Sequence, residues 1–270
     1  MLTQWKLAPA LKPSNRKKTP SGSHPPRLIA CQIIADSLRQ RGSLSSAFAS
    51  KRVLQLPAQD QGFVKMLCFG TFRHIFSLQH IAQQLLSKPI KPKEYEIQAA
   101  LLMGLFQLLY LPGTPAHAAV STTVDLVKPL RKPWARGLLN AVLREADRQR
   151  DKLLDISNLP PSAQAELPPW LLSQIQSSWP DAWESVVSES LKHPPLCLRV
   201  NRSRISRDTY LTMLNDASIK ATPHPIVESA VLLESPMTAS AIPGFSDGLV
   251  SIQDAAAQLA ADLLNVNAGQ

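Results

Sequence analysis

Three thiols and a surplus of cationic side chains are the groups in this chain best suited to chemistry. Cys31, Cys68 and Cys197 could serve as nucleophiles or metal ligands only as thiolates, and a thiolate needs nearby cationic or helix-dipole support. Cys68 precedes Phe69 on a predicted helix and Cys197 follows Leu196 in a predicted strand. The three are far apart, odd in number and set in apolar contexts, without a CxxC, an HxxxH or a Cys/His cluster. That suits reduced, buried thiols in a cytoplasmic protein, not a disulfide frame or a zinc site. His117, two residues after Pro115, reads as a helix-start residue with no carboxylate or nucleophile near it in sequence. No catalytic, cofactor-binding or metal-ligating residue is assigned on these grounds.

The cations offer different chemistry. The chain has 29 Lys/Arg against 20 Asp/Glu, a net charge of +9, and the excess is uneven. Residues 1–30 carry six Lys/Arg and no acid, residues 31–167 seventeen against ten, and residues 168–270 six against ten. A positive excess confined to the first two thirds favours a polyanionic partner, because each neutralised phosphate releases counterions. Solvated helix surface is the competing reading of the same charge. Lys65, Arg73, Arg131, Lys132, Arg136, Arg144 and Arg148 decorate predicted helices, and arginine can meet a phosphate with two N–H groups at once. Asn140 and Arg144, four residues apart, read as a pair internal to their helix.

These side chains need elements to position them. With 270 residues, 44% of them apolar, the chain can bury two ordinary cores. It has no uncharged apolar run of about 18 residues that would span a membrane. The first residues lack a continuous apolar stretch, so no secretory signal is read there. Residues 1–26 mix six prolines and glycines with basic and small polar residues and read as a disordered basic tail. From 27 to 150 the apolar spacing is helical almost throughout and no strand pattern occurs, predicting an all-α bundle of about six to eight helices. Ser43 or Ser45 can cap a short second helix. The segment 58–87 is one long helix or two, with a bend near His74. Residues 97–111 are apolar on nearly every side and read as the central helix. HAAVSTTVDLVKPL and PWARGLLNAVLREADRQR follow as helices, the second with Pro133 in its opening turn.

Residues 151–167 read as a linker. Beyond it the pattern mixes short helices with strand-like pieces (PLCLRVNRS, IKATPHP, AVLLES) around the helix SRDTYLTMLNDA, indicating a small α/β or α+β subdomain over 168–247. Trp170, Trp179 and Trp183 read as filling between the two domains, with RNA base stacking the alternative. Residues 248–270 hold a short extended piece and an amphipathic helix started by Ser251 and Asp254, with Ala257, Leu259, Ala260, Leu263 and Leu264 on its apolar side.

Several local signatures then coincide. LCFGTFRHIFSLQHIAQQLL at 67–86, LLMGLFQLLYLPGTPAHAAVSTTVDLVK at 101–128 and GLLNAVLRE at 137–145 are followed by PPWLLSQIQSSWP at 168–180. LRVNRSRISRD at 198–208, IPGFSDG at 242–248 and VSIQDAAAQLAADLL at 250–264 complete the series. In this order the chain resembles the N-terminal part of the 16S ribosomal RNA cytosine-5 methyltransferases of the Sun/Fmu (RsmB) type. The resemblance implies a NusB-like RNA-binding bundle, then the small subdomain that precedes a Rossmann-like methyltransferase core, and 16S rRNA as the partner of a monomeric cytoplasmic protein. It also implies Arg199, Asn201, Arg202 and Arg204 of the LRVNRSR segment as further RNA-contacting candidates. The competing reading is that Arg199 packs its stem and Asn201 satisfies a turn.

In that family S-adenosylmethionine is held by a glycine-rich loop, and the catalytic cysteine stands in a Thr-Cys-Ser setting. Neither pattern occurs here, so the expectation is a substrate-recruiting piece without the catalytic core, inactive alone. The alternative is a stand-alone NusB-like RNA-binding factor acting in transcription antitermination, against which the residues from 168 onward argue.

Overall fold

The computed structural model describes residues 26–192 and 194–264; the reading of residues 1–26 as a disordered tail lies outside the described residues except at Pro26, which opens the first helix. The chain divides into two compact units, residues 1–191 and 192–270.

In the first unit, α1 (Pro26–Leu38), α4 (Ala58–Arg73), α5 (Ile75–Leu85), α7 (Ala116–Val124) and α8 (Ala135–Arg148) all pack against α6 (Tyr95–Leu109). The apolar stretch predicted to be central is α6, where every residue from Ala99 to Leu109 is buried. Each such Leu or Met removes enough apolar surface from water to contribute about 1.5–3 kcal/mol. Two glycines let helices approach this core closely. A Cβ at Gly70 would lie 2.0 Å from the Phe106 ring, and one at Gly104 would lie 2.9 Å from the Thr123 methyl.

The short helices α2 (Leu44–Phe48) and α3 (Lys51–Leu54) bridge α1 and α4. Ser43 caps α2, its side chain accepting from the Ser46 N–H. The bend foreseen near His74 is a full break, with His74 between α4 and α5. Pro133 lies outside α8 instead of in its first turn. The segment Lys132–Trp134 is closed into a turn by Ala135 N–H donating to Lys132 O at 3.0 Å, and the helix starts after it.

Residues 150–166 form α9 (Arg150–Leu153), a 3-10 turn (Ile156–Asn158) and α10 (Pro161–Ala165). Leu153, Ala163 and Ala165 are buried and α10 packs on α5, so this stretch is folded onto the bundle. Next come α11 (Pro169–Ser178) and α12 (Trp183–Leu191). Trp183 packs with Leu172 and Val187 in a small cluster. Trp170 and Trp179 are more than half exposed.

The second unit is a four-stranded antiparallel sheet, order β2-β3-β1-β4, made of β1 (Leu196–Val200), β2 (Ala221–Pro223), β3 (Ala230–Leu233) and β4 (Val250–Ile252). The central strand β1 registers Leu198 against Val231 on one side and Ile252 on the other. Alternation along β1 sends Leu198 and Val200 into a core with Tyr210, Leu214, Val231 and Val250, covered by α13 (Arg207–Asp216). The same alternation sends Cys197 to the opposite face, where it meets Val227, Ala230 and the start of α14 (Ala255–Leu264).

Asp254 begins α14, its carboxylate accepting from Ala256 N–H at 2.8 Å, whereas Ser251, read as the other start residue, lies in β4. The predicted apolar face is buried only in part: Leu259 packs against Cys197, Val227 and Ala230, while Leu263 and Leu264 are 83% and 71% exposed. A polar residue docks the helix as well. The buried Gln258 accepts from Ser229 Oγ at 2.7 Å and donates toward Gln253 O at 3.1 Å and Leu198 O at 3.4 Å.

Candidate nucleic-acid interface

The amphipathic helix α8 turns Ala135, Leu139, Val142, Leu143 and Ala146 to the core. The i, i+4 repeat therefore puts Arg136, Asn140, Arg144 and Arg148 along its outer side. Two grooves flank this ridge. One, of about 350 Å³, runs between α7 and α8 and is lined by His117, Ser121, Asp125, Arg136, Asn140 and Arg144 among others. The second, of about 670 Å³, lies between α5 and α8 and receives Arg144 and Arg148 beside Leu85 and Ser87.

Arg144 Nε donates to Asn140 Oδ1 at 3.1 Å, the pair expected from their spacing; the guanidinium of this exposed residue has four further N–H groups. Arg136 stands 3.7 Å from Asp125, both well exposed, and Arg148 pairs with Glu145 three residues back. Exposed pairs of this kind contribute little and exchange readily for a phosphate.

The other candidates divide into three places. Lys65 and Arg73 lie on the outer side of α4 with the half-exposed Phe69 between them at i+4, and they line neither groove. Phe69 meets Phe48 at a ring separation of 5.2 Å, and Lys65 Nζ stands 6.0 Å from the Phe48 ring. Arg131 is exposed in left-handed backbone, φ 56°. Lys132 is turned inward, its Nζ 2.5 Å from Glu94 Oε2, with Glu94 buried.

In the second unit β1 ends at Val200, so the strand alternation stops before Asn201 and 201–204 form a turn, Arg204 N–H donating to Asn201 O at 2.9 Å. Asn201 holds that turn: its Oδ1 accepts from Ser203 Oγ at 2.6 Å, and its Nδ2 donates to Gly248 O at 3.1 Å. Arg204 donates to Asp247 O at 2.6 Å. Arg202 pairs with Glu228 at 2.7 Å on the surface. Arg199 is exposed between Ala230 and Ser251 on the neighbouring strands. The turn reading of Asn201 therefore describes what its side chain does.

The thiols are closed to chemistry. Burial pushes the Cys31 thiol far up, helped by the charge of Glu96. Burial raises Cys68 to about 12 against a small opposing pull from Arg52. Cys197 is raised by burial and by Asp254. Among the described residues no three His, Cys, Asp or Glu side chains gather as a metal site, and no helix is long and apolar enough to cross a membrane. Sequence reasoning passed over His117 and Ser121 as groove residues. The spacing of both from Val120 and Val124, which line the same groove, was the available signal.

Comparison with known proteins places two domains on this frame. Residues 24–148 match the NusB family, and residues 167–240 match the Methyltr_RsmF/B-like, ferredoxin-like domain. The ribosomal RNA small subunit methyltransferase B of Pseudomonas putida is 41% identical over 245 residues, covering 91% of this chain and 56% of the relative. The probable ribosomal RNA small subunit methyltransferase B of Coxiella burnetii is 39% identical over 90% of this chain and 55% of its own length. The Escherichia coli protein of that name is 37% identical over 86% and 53%. The chain thus spans a little over half the length of these relatives. The crystal structure of PH0851 matches with a TM-score of 0.60 at 16% identity, over 92% of this chain and 57% of that one, a likeness of fold.

Proposed function

We propose that this chain, a NusB-family domain followed by an RsmF/B-like ferredoxin-like domain, is the RNA-gripping portion of a small-subunit ribosomal RNA methyltransferase. The observation that carries the reading is the α8 ridge, where Arg136, Arg144 and Arg148 stand in a row between two grooves. Residues 126–148 hold six Lys/Arg against two acids, Glu145 and Asp147, which also line the grooves. A phosphate backbone laid along such a ridge exchanges weak surface ion pairs for charge-assisted, bidentate ones and releases its counterions.

Among the described residues nothing fits S-adenosylmethionine. Such a cradle needs glycines at a strand-to-helix turn, where backbone N–H groups reach the cofactor. Here Gly70 and Gly104 are packed inside helices against Phe106 and Thr123, and Gly244 lies against Leu249 in a turn. With every cysteine buried and its thiol stabilised, the described residues supply binding and orientation of the substrate, and no chemical step is derived through them. The experiment is binding of fluorescently labelled 16S rRNA fragments at several salt concentrations. Affinity falling steeply with salt supports the reading; absence of binding at modest ionic strength refutes it. A stand-alone antitermination role leaves the domain at 167–240 without a task.

A further inference from the structure

We propose that Trp134 is a stacking platform for one base of single-stranded RNA, with Lys128, Arg131 and Arg136 engaging the flanking phosphates. The inference rests on the RNA-binding reading above and gives it a specific contact.

Trp134 is 55% exposed. Among the described residues its ring has no aromatic partner and its indole N–H no acceptor, so a large apolar face and a donor stand open to water. The segment beneath it is rigid. Lys132 Nζ grips the buried Glu94 at 2.5 Å. Arg131 N–H donates to Lys128 O at 3.0 Å, and Lys132 N–H donates to Val127 O at 2.9 Å. Pro133 restricts the backbone immediately before the tryptophan. Little conformational entropy is lost when a ligand lands on a platform held in this way.

The surroundings choose the ligand. Lys128, Arg131 and Arg136 are exposed around the turn; the nearest acid in sequence, Asp125, is itself exposed and stands 3.7 Å from Arg136. A protein interface centred on a tryptophan is depleted of lysine and other charges around its buried core. The cationic rim here complements a polyanion. Stacking needs a free base face, which a duplex covers and a single strand offers, and it tolerates any base. Arg136 also lines the α7/α8 groove with Asn140 and Arg144, so a strand leaving Trp134 continues onto the ridge.

The test compares the whole chain with Trp134→Ala and Trp134→Phe, each shown to keep the parental thermal midpoint. Anisotropy titrations use a single-stranded RNA of about 12 nucleotides, within the range such sites cover, and a blunt RNA duplex of the same length. Trp134→Ala is expected to weaken single-strand binding about tenfold or more, with the salt slope and the duplex affinity unchanged. Trp134→Phe should restore most of the loss. Parental single-strand affinity in Trp134→Ala, or an equal loss on the duplex, overturns the stacking role while leaving the RNA-binding reading intact. Failure of the parent chain to bind either RNA removes both.

Discussion

Glu166 caps the first turn of α5 through Ser77, 89 residues earlier in the bundle. One carboxylate oxygen accepts from the backbone N–H groups of Phe76 at 3.0 Å and Ser77 at 3.3 Å, and the other accepts the Ser77 hydroxyl proton. Negative charge is favoured at a helix N-terminus, where N–H groups lack intrahelical partners. His74 Nδ1 stands 3.6 Å from the same carboxylate, and the His74 ring stacks on Tyr110 at 4.0 Å. Tyr110 in turn shares a 3.1 Å hydrogen bond with the Ser77 hydroxyl.

This cluster ties residues 150–166 to the helix that walls one groove of the ridge. Glu166→Ala leaves two N–H groups and a hydroxyl in a nearly dry site, and should lower unfolding stability by about 2–4 kcal/mol. Urea denaturation followed by circular dichroism measures it. Glu166→Gln, which keeps an acceptor oxygen, should cost less.

A second prediction contrasts two glycines. Gly70→Ala adds a methyl group where the Phe106 ring already stands. Despite alanine's better helix propensity it should destabilise by about 1–3 kcal/mol, and Phe106→Leu in the same chain should recover part of that. Gly137, on the open side of α8 with nothing within 4 Å of a new Cβ, should gain up to about 1 kcal/mol on substitution by alanine. Thermal unfolding of the three variants checks both signs.

The thiols supply a third. Burial stabilises the protonated form of all three cysteines, and the thiolate is the reactive species. At neutral pH the folded chain should resist a thiol reagent, with every cysteine labelled once guanidinium is added. Rapid labelling of one thiol in the native state would show a reactive group where none is expected.

The fourth concerns acid. Burial tends to raise the Glu96 carboxyl, but the Arg39 hydrogen bond at 2.5 Å, a backbone hydrogen bond and the charges of Arg39 and Lys132 outweigh it and hold the group below its ordinary 4.5. A carboxyl lowered in the folded state adds stability above its unfolded pKa and loses it as pH falls through the folded one. The stability advantage of the parent over Glu96→Gln should therefore be present at pH 7 and fade below about pH 4. Denaturant titrations at a series of pH values measure it.

Local rules explain which parts of this were legible in the sequence. The near-unbroken apolar character of residues 99–109 announced the central helix, and the Asn140/Arg144 spacing announced their hydrogen bond. Asn201 followed by Ser203 is a local turn pattern that needed no tertiary knowledge. Lys132 is different: as a residue in a basic run it looked like phosphate-binding surface, yet it reaches Glu94 across 38 positions, a pairing no local window contains. The α14 docking was hidden for the same reason. Its leucines marked an apolar face, but Gln258 found Ser229 and Leu198 O on a strand and loop remote in sequence. Glu166 lay in a stretch whose prolines suggested a linker, and its role exists only once α5 is in place.

The most direct test of the central claim is the salt dependence of binding to 16S rRNA fragments, for the parent chain and for the combined Arg136→Ala, Arg144→Ala, Arg148→Ala variant. The parent should show log affinity falling linearly with log salt, and losing three phosphate contacts should flatten that slope by about 2–3 with the fold unchanged by circular dichroism. An identical slope in the variant, or a parent that ignores 16S fragments at modest ionic strength, would contradict the claim that the α8 ridge holds the RNA.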